Sequence, residues 1–535
     1  MLRYFVKIFS VTLAAFCISV PDLPADEPTA NGLDSATQIQ TLVQQAQVKD
    51  LDDLDSLVTK LAGMPYQPLP PLPESLAQLT YEDYLKISYR HPKATWWGGE
   101  TPFWIETFHR GFVQRDRVEL FALEDNVNRW IPFSANDFEY DLPGIDPTFA
   151  ADAGHAGIKI AARFPEGEAQ EVLTFLGSSY FRARSQFAVY GTSARGLAVD
   201  IALNRDEEFP QFRSFWVVKP KAKDKSLTIF ALLDSPSVAG AYEFTVEPGA
   251  AATDMSVKAR LHFRKSVEKL GLAPLTSMWM WGDGLEGPPK DLRPSVHDSD
   301  GLLIDSEDQG WVWRPFARQP YPSVSQMNFG KINGFGVMQR NTAFFHFDDH
   351  NAQYHRRPSV FVRPKVGWEQ GTIELLELPG AHEGIDNIGA YWIPSQLPKA
   401  GDRLDLEYEL SFFGGSHPDE TEVGQATAFT LERGKDGIEM EIRFHGGPLT
   451  DIDPDDDIEF EIRTIRGEVD KPSITKTETG DWLVGVKLKP SEQAPMELRL
   501  GITHLGERVT ESFVYLCPHE EPTFVYPAVY TRQSE

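Results

Sequence analysis

Apolar and polar residues alternate in short segments along most of this chain, a pattern typical of half-buried β-strands. The alternation is clearest in LDLEYEL (404–410) and IEFEI (458–462). Further segments of this kind, separated by Gly, Pro, Asn and Asp, are Phe103–Phe108, Val118–Leu123, Phe215–Val218, Ile373–Leu375, Trp482–Leu488 and Met496–Leu500. The chain from about residue 102 onward is therefore predicted to be mainly β.

Helical spacing is confined to the first hundred residues. Residues 34–63 combine helix-forming composition with apolar residues three and four positions apart, which predicts one or two short helices ending at Gly63. The proline-rich segment PYQPLPPLP (65–73) predicts an extended crossing, and Tyr81 to Leu85 predict another short helix.

A proline-containing segment divides the predicted β region. Residues 394–401 (PSQLPKAG) are typical of a linker. We expect an N-terminal β-sandwich over residues 26–398 and a smaller C-terminal β-sandwich over residues 401–535.

The first 25 residues resemble a secretory signal peptide. Arg3 and Lys7 precede a mostly apolar run from Ile8 to Val20, and LPA (23–25) resembles a cleavage site. Cys17 could instead carry a lipid, although the Phe before it is unlike a lipid-attachment motif. Export to the periplasm is the expectation, and removal of this segment leaves Cys517 as the single thiol.

Charge and composition exclude some classes of binding partner and of protein. The 535 residues include 51 basic and 79 acidic side chains, a formal charge of −28, which argues against nucleic acid as a partner. Hydrophobic residues make up 41% and aromatic residues 12%, which argues against a disordered chain. An uncharged ligand is compatible with this charge.

Three further motifs do not fit the chemistry that their residue types suggest. GTSARG (191–196) lacks the spacing of a nucleophile elbow and is better interpreted as a turn. The acidic run DIDPDDD (451–457) lacks the glycine and final glutamate of a calcium loop and predicts a solvated loop. His346 and His350 lie in a strand-and-loop context that does not favour a metal site. No metal or cofactor is predicted.

A stretch between about residues 277 and 393 is dense in aromatic, acidic and basic residues. Sugars offer apolar C–H faces to aromatic rings and hydroxyls to charged groups, so this mixture suits a glucan groove. Cleavage of a glycosidic bond needs two carboxyl groups, for which Asp298 and Asp386 are candidates. The candidate substrate-binding residues are Trp279, Trp281, His297, Trp313, Arg314, Arg357 and Trp368. The alternative is that these tryptophans are core residues and the aspartates cap turns.

Ordered motifs in the same stretch resemble one family. They are SMWMWGDG (277–284), RPSVHDSDGL (293–302), WVWRPF (311–316), GFGVMQR (334–340), RRPSVFVRP (356–364) and DNIGAYWIP (386–394), preceded by FLGSSYFRA (175–183), VYGTSARGLAVD (189–200) and EEFPQFRSFW (207–216). Together they resemble the periplasmic glucans biosynthesis family OpgG/OpgD (MdoG), over nearly the whole chain after residue 25.

The resemblance implies a large galactose-mutarotase-like β-sandwich followed by a smaller immunoglobulin-like one. It also implies a role in making osmoregulated periplasmic glucans with a β-1,2-linked backbone. Some family members are similar to inverting endo-β-1,2-glucanases, which implies Asp386 as the acid, Asp298 as the base and Tyr354 as a residue that places waters. The neighbours of Asp386 are apolar and those of Asp298 are polar, which predicts a protonated and an ionised carboxyl, respectively.

Other functions stay open at this point. A non-catalytic protein that guides nascent β-1,2-glucan would need the same tryptophans, and a transglycosylase would need the same carboxyls. Ile385 and Gly389 depart from the family pattern, so transfer or an altered product length is an alternative to hydrolysis. The resemblance implies β-1,2-glucan as a partner, and a membrane glucan synthase and a second copy of the chain are possible further partners.

Overall fold

The computed structural model describes residues 39–141, 153–164, 168–380, 382–491 and 494–524. The predicted signal peptide and its cleavage site lie outside these residues. The helices are residues 39–45, α1 (Leu51–Ala62), α2 (Glu74–Ala77) and α3 (Tyr81–Tyr84). Short 3-10 turns cover His91–Lys93, Ala135–Asp137, Phe344–His346, Tyr354–Arg356, Pro418–Glu422 and Gly447–Thr450.

Seventeen strands of the described residues come before Asp298 in the sequence. They are β1 (Ile87–Tyr89), β2 (Phe103–His109), β3 (Glu119–Glu124), β4 (Val127–Trp130), β5 (Phe138–Tyr140), β6 (His155–Ala162), β7 (Gln170–Leu176), β8 (Tyr180–Ala183), β9 (Ser193–Arg195), β10 (Leu197–Val199), β11 (Gln211–Val218), β12 (Leu227–Asp234), β13 (Val238–Pro248), β14 (Ala252–Phe263), β15 (Leu270–Ser277), β16 (Trp279–Trp281) and β17 (Val296–His297).

The remaining strands complete both sandwiches. They are β18 (Gly301–Ser306), β19 (Gly310–Pro315), β20 (Ser323–Phe329), β21 (Ile332–Met338), β22 (Ser359–Val366), β23 (Gly371–Glu377), β24 (Ile388–Pro394), β25 (Arg403–Phe413), β26 (Gln425–Gly434), β27 (Gly437–His445), β28 (Ile458–Ile465), β29 (Gly467–Val469), β30 (Ser473–Lys476), β31 (Trp482–Pro490), β32 (Met496–His504), β33 (Glu507–Arg508) and β34 (Ser512–Cys517). The mainly β prediction is confirmed.

Across the described residues the strands form three large sheets and two short two-stranded sheets. A ten-stranded sheet has the order β2-β6-β7-β8-β9-β15-β24-β23-β20, with β10 beside β15. A fifteen-stranded sheet has the order β28-β32-β34-β19-β18-β21-β22-β25-β14-β13-β12-β11-β3-β4, with β33 beside β32. A five-stranded sheet has the order β26-β27-β31-β29, with β30 beside β31. The two short pairs are β1 with β5 and β16 with β17.

The larger sandwich packs the ten-stranded sheet against part of the fifteen-stranded sheet. Its core joins Ile158 and Leu272 of the first sheet to Phe215, Phe244 and Val257 of the second, all buried. Alternation along the strands produces this arrangement, because every second side chain points to the same face. The sandwich expected from the sequence is therefore present.

Helix α1 covers the outer face of the fifteen-stranded sheet. Asp50 caps its first turn by accepting a hydrogen bond from the Asp53 amide, and Gly63 caps its end, as predicted. Its apolar stripe, which includes Leu54 and Val58, packs against strand residues such as Trp216. The sheet is thereby buried on both faces in this region.

A smaller sandwich follows. Residues Ile442 and Val484 of the five-stranded sheet share a core with Leu498 and Phe513 of the fifteen-stranded sheet. The strand β25 begins at Arg403, after the predicted linker, yet it pairs with β14 and β22 of the larger sandwich. The domain limits of 26–398 and 401–535 stay a prediction.

A buried arginine joins the two sandwiches. Arg340, just after β21, pairs with Glu420 and with Glu511 at 2.6 Å, and its guanidinium lies 3.7 Å from the Trp313 ring centroid. Both carboxylates are fully buried. Since buried carboxylates depend on a nearby cation, the junction depends on this one side chain.

Replacing Arg340 with Met should lower the free energy of unfolding by about 3–5 kcal/mol, because it leaves two buried carboxylates without their cation. Lys365→Met is the matched control: Lys365 and its partner Glu409 are both half exposed, and we expect a change of at most about 1 kcal/mol. Urea unfolding followed by tryptophan fluorescence measures both. Equal losses in the two variants would contradict this account of the junction.

Candidate active site

Asp386 lies at the start of β24, where four adjacent strands of the ten-stranded sheet meet. Its Oδ2 atom accepts hydrogen bonds from Ser193 Oγ (3.1 Å), Thr276 Oγ1 (3.1 Å) and Arg182 Nη2 (3.3 Å). These donors belong to β9, β15 and β8, which lie in the consecutive order β8-β9-β15-β24 in the sheet. The order of the strands therefore places all three donors around the Asp386 side chain, which is only 2% exposed.

The next residue, Asn387, joins the Asp386 segment to β16. Its Oδ1 accepts from the Trp279 amide at 2.8 Å, and its Nδ2 donates to the Trp279 carbonyl at 2.9 Å. One residue earlier, the Met278 carbonyl accepts from the Asp298 amide at 2.8 Å. The backbone between Thr276 and Trp279 therefore holds both candidate carboxyl segments.

Asp298 is fully buried and pairs with Arg357 through Oδ1. Burial raises the pKa of its carboxyl to about 6; the Arg357 charge opposes this increase, and the charge of Asp386 adds to it. Because the charge of Asp386 contributes, the two carboxyls share one electrostatic environment. The structure thus brings together two candidates that are far apart in the sequence.

Each carboxyl keeps one oxygen without a protein partner. Among the described residues, Oδ2 of Asp298 and Oδ1 of Asp386 are buried and accept no hydrogen bond. Buried polar atoms are normally paired, so two unpaired oxygens in one site require an explanation. A ligand hydroxyl, a glycosidic oxygen or a water could supply the missing partner.

The surroundings of the two carboxyls differ from those expected from their sequence neighbours. Asp386 meets three polar donors, and Asp298 is the carboxyl whose pKa burial raises. The groups that contact each carboxyl come from distant strands, so the sequence neighbours do not define these surroundings. The assignment of acid and base to these residues stays a prediction.

Tyr354 lies beside the Asp298 pair but bonds to another carboxylate. Its ring covers the Arg357 guanidinium, at 4.5 Å from centroid to Cζ, and its hydroxyl donates to Glu383 Oε2. The side chain is 1% exposed, and the charge of Asp298 affects the pKa of its hydroxyl. Tyr354 therefore belongs to the same site.

Trp279, Trp281 and His297 lie on the paired strands β16 and β17, which lead to Asp298, and all three side chains are buried. Trp279 carries the backbone contacts to Asn387, and Trp281 donates from Nε1 to the Arg293 carbonyl at 3.0 Å. Nδ1 of the buried His297 ring donates to Gln339 Oε1 at 2.8 Å, and burial lowers the pKa of the ring to about 3, so the ring is neutral at pH 7.

Three other predicted residues make different contacts. Arg314 pairs with Glu377 at 2.9 Å, and Trp313 packs on Arg340 at the junction of the sandwiches. Trp368 donates to the Glu407 carbonyl at 3.1 Å and packs against Trp392. Trp392 lies six residues after Asp386, which corresponds to about 20 Å of extended strand. Their predicted role in binding substrate stays untested.

Four residues of the site were not singled out from the sequence: Arg182, Ser193, Thr276 and Glu383. Arg182 and Ser193 lie inside family-like motifs, which was the available signal. The GTSARG segment that was interpreted as a turn begins β9 at Ser193 and bonds to Asp386. Glu383 precedes Asp386 by three residues and carries no motif.

Within the described ranges, no group of three or more His, Cys, Asp or Glu side chains is placed to hold a metal ion. The ring of His346 bonds to Ser295 Oγ at 3.0 Å, and that of His350 packs on Phe344. No helix of the described ranges is long and apolar enough to cross a membrane.

The fold and the site define a β-sandwich protein with a pair of buried carboxyls set beside tryptophans. The chain belongs to the MdoG family of periplasmic glucan biosynthesis proteins, whose family model matches residues 50–517. It is thus a periplasmic protein with a role in glucan biosynthesis.

Individual relatives agree with this assignment. The chain is 35% identical to glucans biosynthesis protein G of Sodalis glossinidius over 460 residues, which cover 83% of this chain and 88% of that protein. It is 36% identical to the Ralstonia nicotianae protein of the same name over 465 residues, 83% of this chain and 90% of that one. Among solved structures, the GH36 α-galactosidase AgaB of Geobacillus stearothermophilus aligns at 8% identity over 49% of this chain and 39% of that chain, with a TM-score of 0.25, which is too low to support an argument.

The raised pKa of Asp298 predicts a pH dependence of stability. Since the pKa of the folded carboxyl exceeds its value near 4 in the unfolded chain, its contribution to stability is fully present below about pH 4 and is lost as the pH rises through about 6. The wild type should therefore lose about 3 kcal/mol relative to Asp298→Asn between pH 4 and pH 7. Urea unfolding at both values measures the difference, with the surface variant Asp405→Asn as control. An equal difference in stability between the wild type and Asp298→Asn at pH 4 and at pH 7 would contradict the raised pKa of Asp298.

Proposed function

We propose that this protein takes part in glucan biosynthesis by cleaving β-1,2-glucan chains internally, with inversion at the anomeric carbon. The observation that carries the proposal is the pair of unpartnered oxygens on Asp298 and Asp386, two buried carboxyls in one electrostatic environment. Glycosidic cleavage requires two carboxyl groups on opposite sides of the bond. Membership of the glucan biosynthesis family supports a glucan as the substrate.

Asp386 is suited to act as the acid. Three donors hold its Oδ2, so the side chain has a fixed orientation and its Oδ1 is left to present a proton to the glycosidic oxygen. A fixed carboxyl of this kind lowers the barrier to departure of the leaving sugar. Asp298 supplies the second carboxyl, and it is the base that the family resemblance implies.

The surrounding residues support a neutral sugar polymer. Trp279 bonds through its backbone to Asn387, the residue after Asp386, and aromatic rings pack well against the C–H faces of glucose. The arginines beside the carboxyls, Arg182 and Arg357, add donors for sugar hydroxyls. A chain of formal charge −28 does not repel a neutral glucan.

The burial of the two carboxyls supports one alternative to a catalytic role. Asp298 and Asp386 are 0% and 2% exposed and each bonds to an arginine, an arrangement that a glucan-binding protein without catalytic activity could also use for structural support. A protein that guides nascent glucan from a membrane synthase would then keep the carboxyls for packing. A transglycosylase differs from both because it would lengthen some chains.

Replacing Asp386 with Asn should reduce cleavage of linear β-1,2-glucan by at least about 100-fold, because the leaving oxygen loses its proton donor. Chromatography of the product chains measures this, with Asp405→Asn as a surface control that should cleave like the wild type. Proton NMR of the first products should show the α-anomer, as inversion requires.

Other results of that experiment exclude the proposal in distinct ways. Equal cleavage by Asp386→Asn and the wild type would exclude Asp386 as the acid. Intact glucan with every protein would favour the binding role, and products longer than the substrate would favour transfer. A first product in the β-configuration would exclude inversion.

A further inference from the structure

The chain continues past its last strand as a segment that contacts the candidate site. Strand β34 ends at Cys517, which is also the last residue that the family model matches. Residues 518–524 follow, and the ring of Phe524 packs beside Trp281 of β16, with 5.8 Å between the ring centroids and 88° between the ring planes. The contact therefore lies outside the family match, and it joins this segment to a residue that the sequence predicts to bind substrate.

Three groups cover the ring of Trp281, which is only 4% exposed. The guanidinium of Arg293 lies 5.6 Å from the ring centroid, and the backbone of Gly287 is so close that a Cβ there would lie 2.7 Å from the indole nitrogen. The third group is the perpendicular ring of Phe524. A sugar packs on an indole through its C–H face, so a sugar can bind at Trp281 only when one of these covers leaves.

Arg293 and Gly287 are held in place. Arg293 pairs at 2.6–3.0 Å with three carboxylates, which belong to Asp291, Asp349 and Glu383. Moving its side chain would leave these carboxylates without their cation. Two prolines follow Gly287, at 288 and 289, and their rings restrict the backbone. Neither group is therefore free to uncover Trp281.

The segment that carries Phe524 is held at its start and by this one ring. Arg433 of β26 donates to the carbonyls of Pro518 and His519, at 2.8 and 3.5 Å. Within the part of the chain that the structure describes, residues 520–524 make no backbone–backbone hydrogen bond, and three of their five side chains are exposed. Segments with few buried contacts and no backbone hydrogen bonds open most readily. Phe524 is thus the cover that can leave.

Arg318 is the second partner of the Phe524 ring. Its guanidinium lies 4.7 Å from the ring centroid, and its Nη2 donates at 3.3 Å to the carbonyl of Gly380, six residues before Asp386. The Phe524 ring therefore packs against both an indole and a guanidinium. A glucose ring suits the same two groups, because its C–H face packs on the indole and its hydroxyls accept from the guanidinium.

We propose that residues 518–524 form an autoinhibitory cover, in which Phe524 occupies the place of a glucose ring beside Trp281 and Arg318 until a β-1,2-glucan chain displaces it. The inference rests on the proposed function in taking β-1,2-glucan as the ligand. The covered and open states exchange, and the glucan binds at Trp281 only in the open state. The apparent affinity is therefore reduced by the fraction of molecules that are open.

Calorimetric titration with linear β-1,2-glucan tests the cover, with Asp386→Asn as the background so that the ligand stays intact. Phe524→Ala should lower Kd at least about fivefold, because a cover that is open about a fifth of the time or less reduces affinity by that factor. Thr523→Ala, an exposed neighbour in the same segment, is the matched control and should leave Kd unchanged. Adding Trp281→Ala should abolish the gain, since the two rings are in contact.

A fluorine label on the ring reports its displacement directly. With para-fluorophenylalanine at position 524 of the same background, the fluorine NMR resonance should move toward its position in the unfolded chain as glucan is added. The reason is that the ring leaves Trp281 and Arg318 for water. This measurement keeps the full ring and so carries the test if Phe524→Ala fails to fold.

Several outcomes would overturn the cover. An unchanged Kd in Phe524→Ala would do so, as would a higher Kd, which would mean that Phe524 supports Trp281, or a fluorine resonance that saturating glucan does not move. Tighter binding by Phe524→Ala together with a wild type that leaves the glucan intact would support the cover and exclude the cleavage reaction. Cleavage by the wild type with an unchanged Kd in Phe524→Ala would exclude only the cover, and no binding by any variant would exclude both.

Discussion

The side-chain amide of Asn387 is the contact on which the arrangement of the site depends. It bonds to both the amide and the carbonyl of Trp279, and its nitrogen also donates to the Leu378 carbonyl at 2.9 Å. A buried amide satisfied in this way fixes β16 against the start of β24. Asp386 is its neighbour in the sequence, and Asp298 bonds to the backbone of the residue before Trp279, so both carboxyls take their positions from this contact.

Ion pairs between arginines and buried carboxylates recur around this contact. Arg182, Arg357 and Arg340 each compensate a carboxylate that the β-sandwiches remove from water. The protein as a whole is strongly acidic, but its buried carboxylates are locally paired. The candidate site uses the same arrangement, with one oxygen of each carboxyl kept for a ligand.

Strands could be predicted from the sequence because their pattern is local. The alternation of 404–410 and 458–462 lies inside β25 and β28, and Gly63 ends α1 as expected. The environment of the carboxyls could not be predicted in this way. Arg182 and Ser193 contact Asp386 across 204 and 193 residues of sequence, and only the strand order of the sheet brings them together.

The contacts of Glu383 also could not be predicted from the local sequence. Its sequence context, GAHEGIDN, contains no motif, and its importance follows only from the bond that Tyr354 makes. The motifs around Asp298 and Asp386 resemble a family and point to both residues, whereas the protonation states of the two carboxyls stay a prediction. Family resemblance thus located the site, and the hydrogen bonds define what each of its groups can do.

A crystal structure of Asp386→Asn with a bound β-1,2-glucan oligosaccharide tests the central claim most directly. The account predicts that a glycosidic oxygen lies about 2.6–3.2 Å from the side chain at position 386, with Trp279 and Trp281 beside the neighbouring sugars. A glucan bound with its glycosidic oxygens far from position 386 would contradict the account.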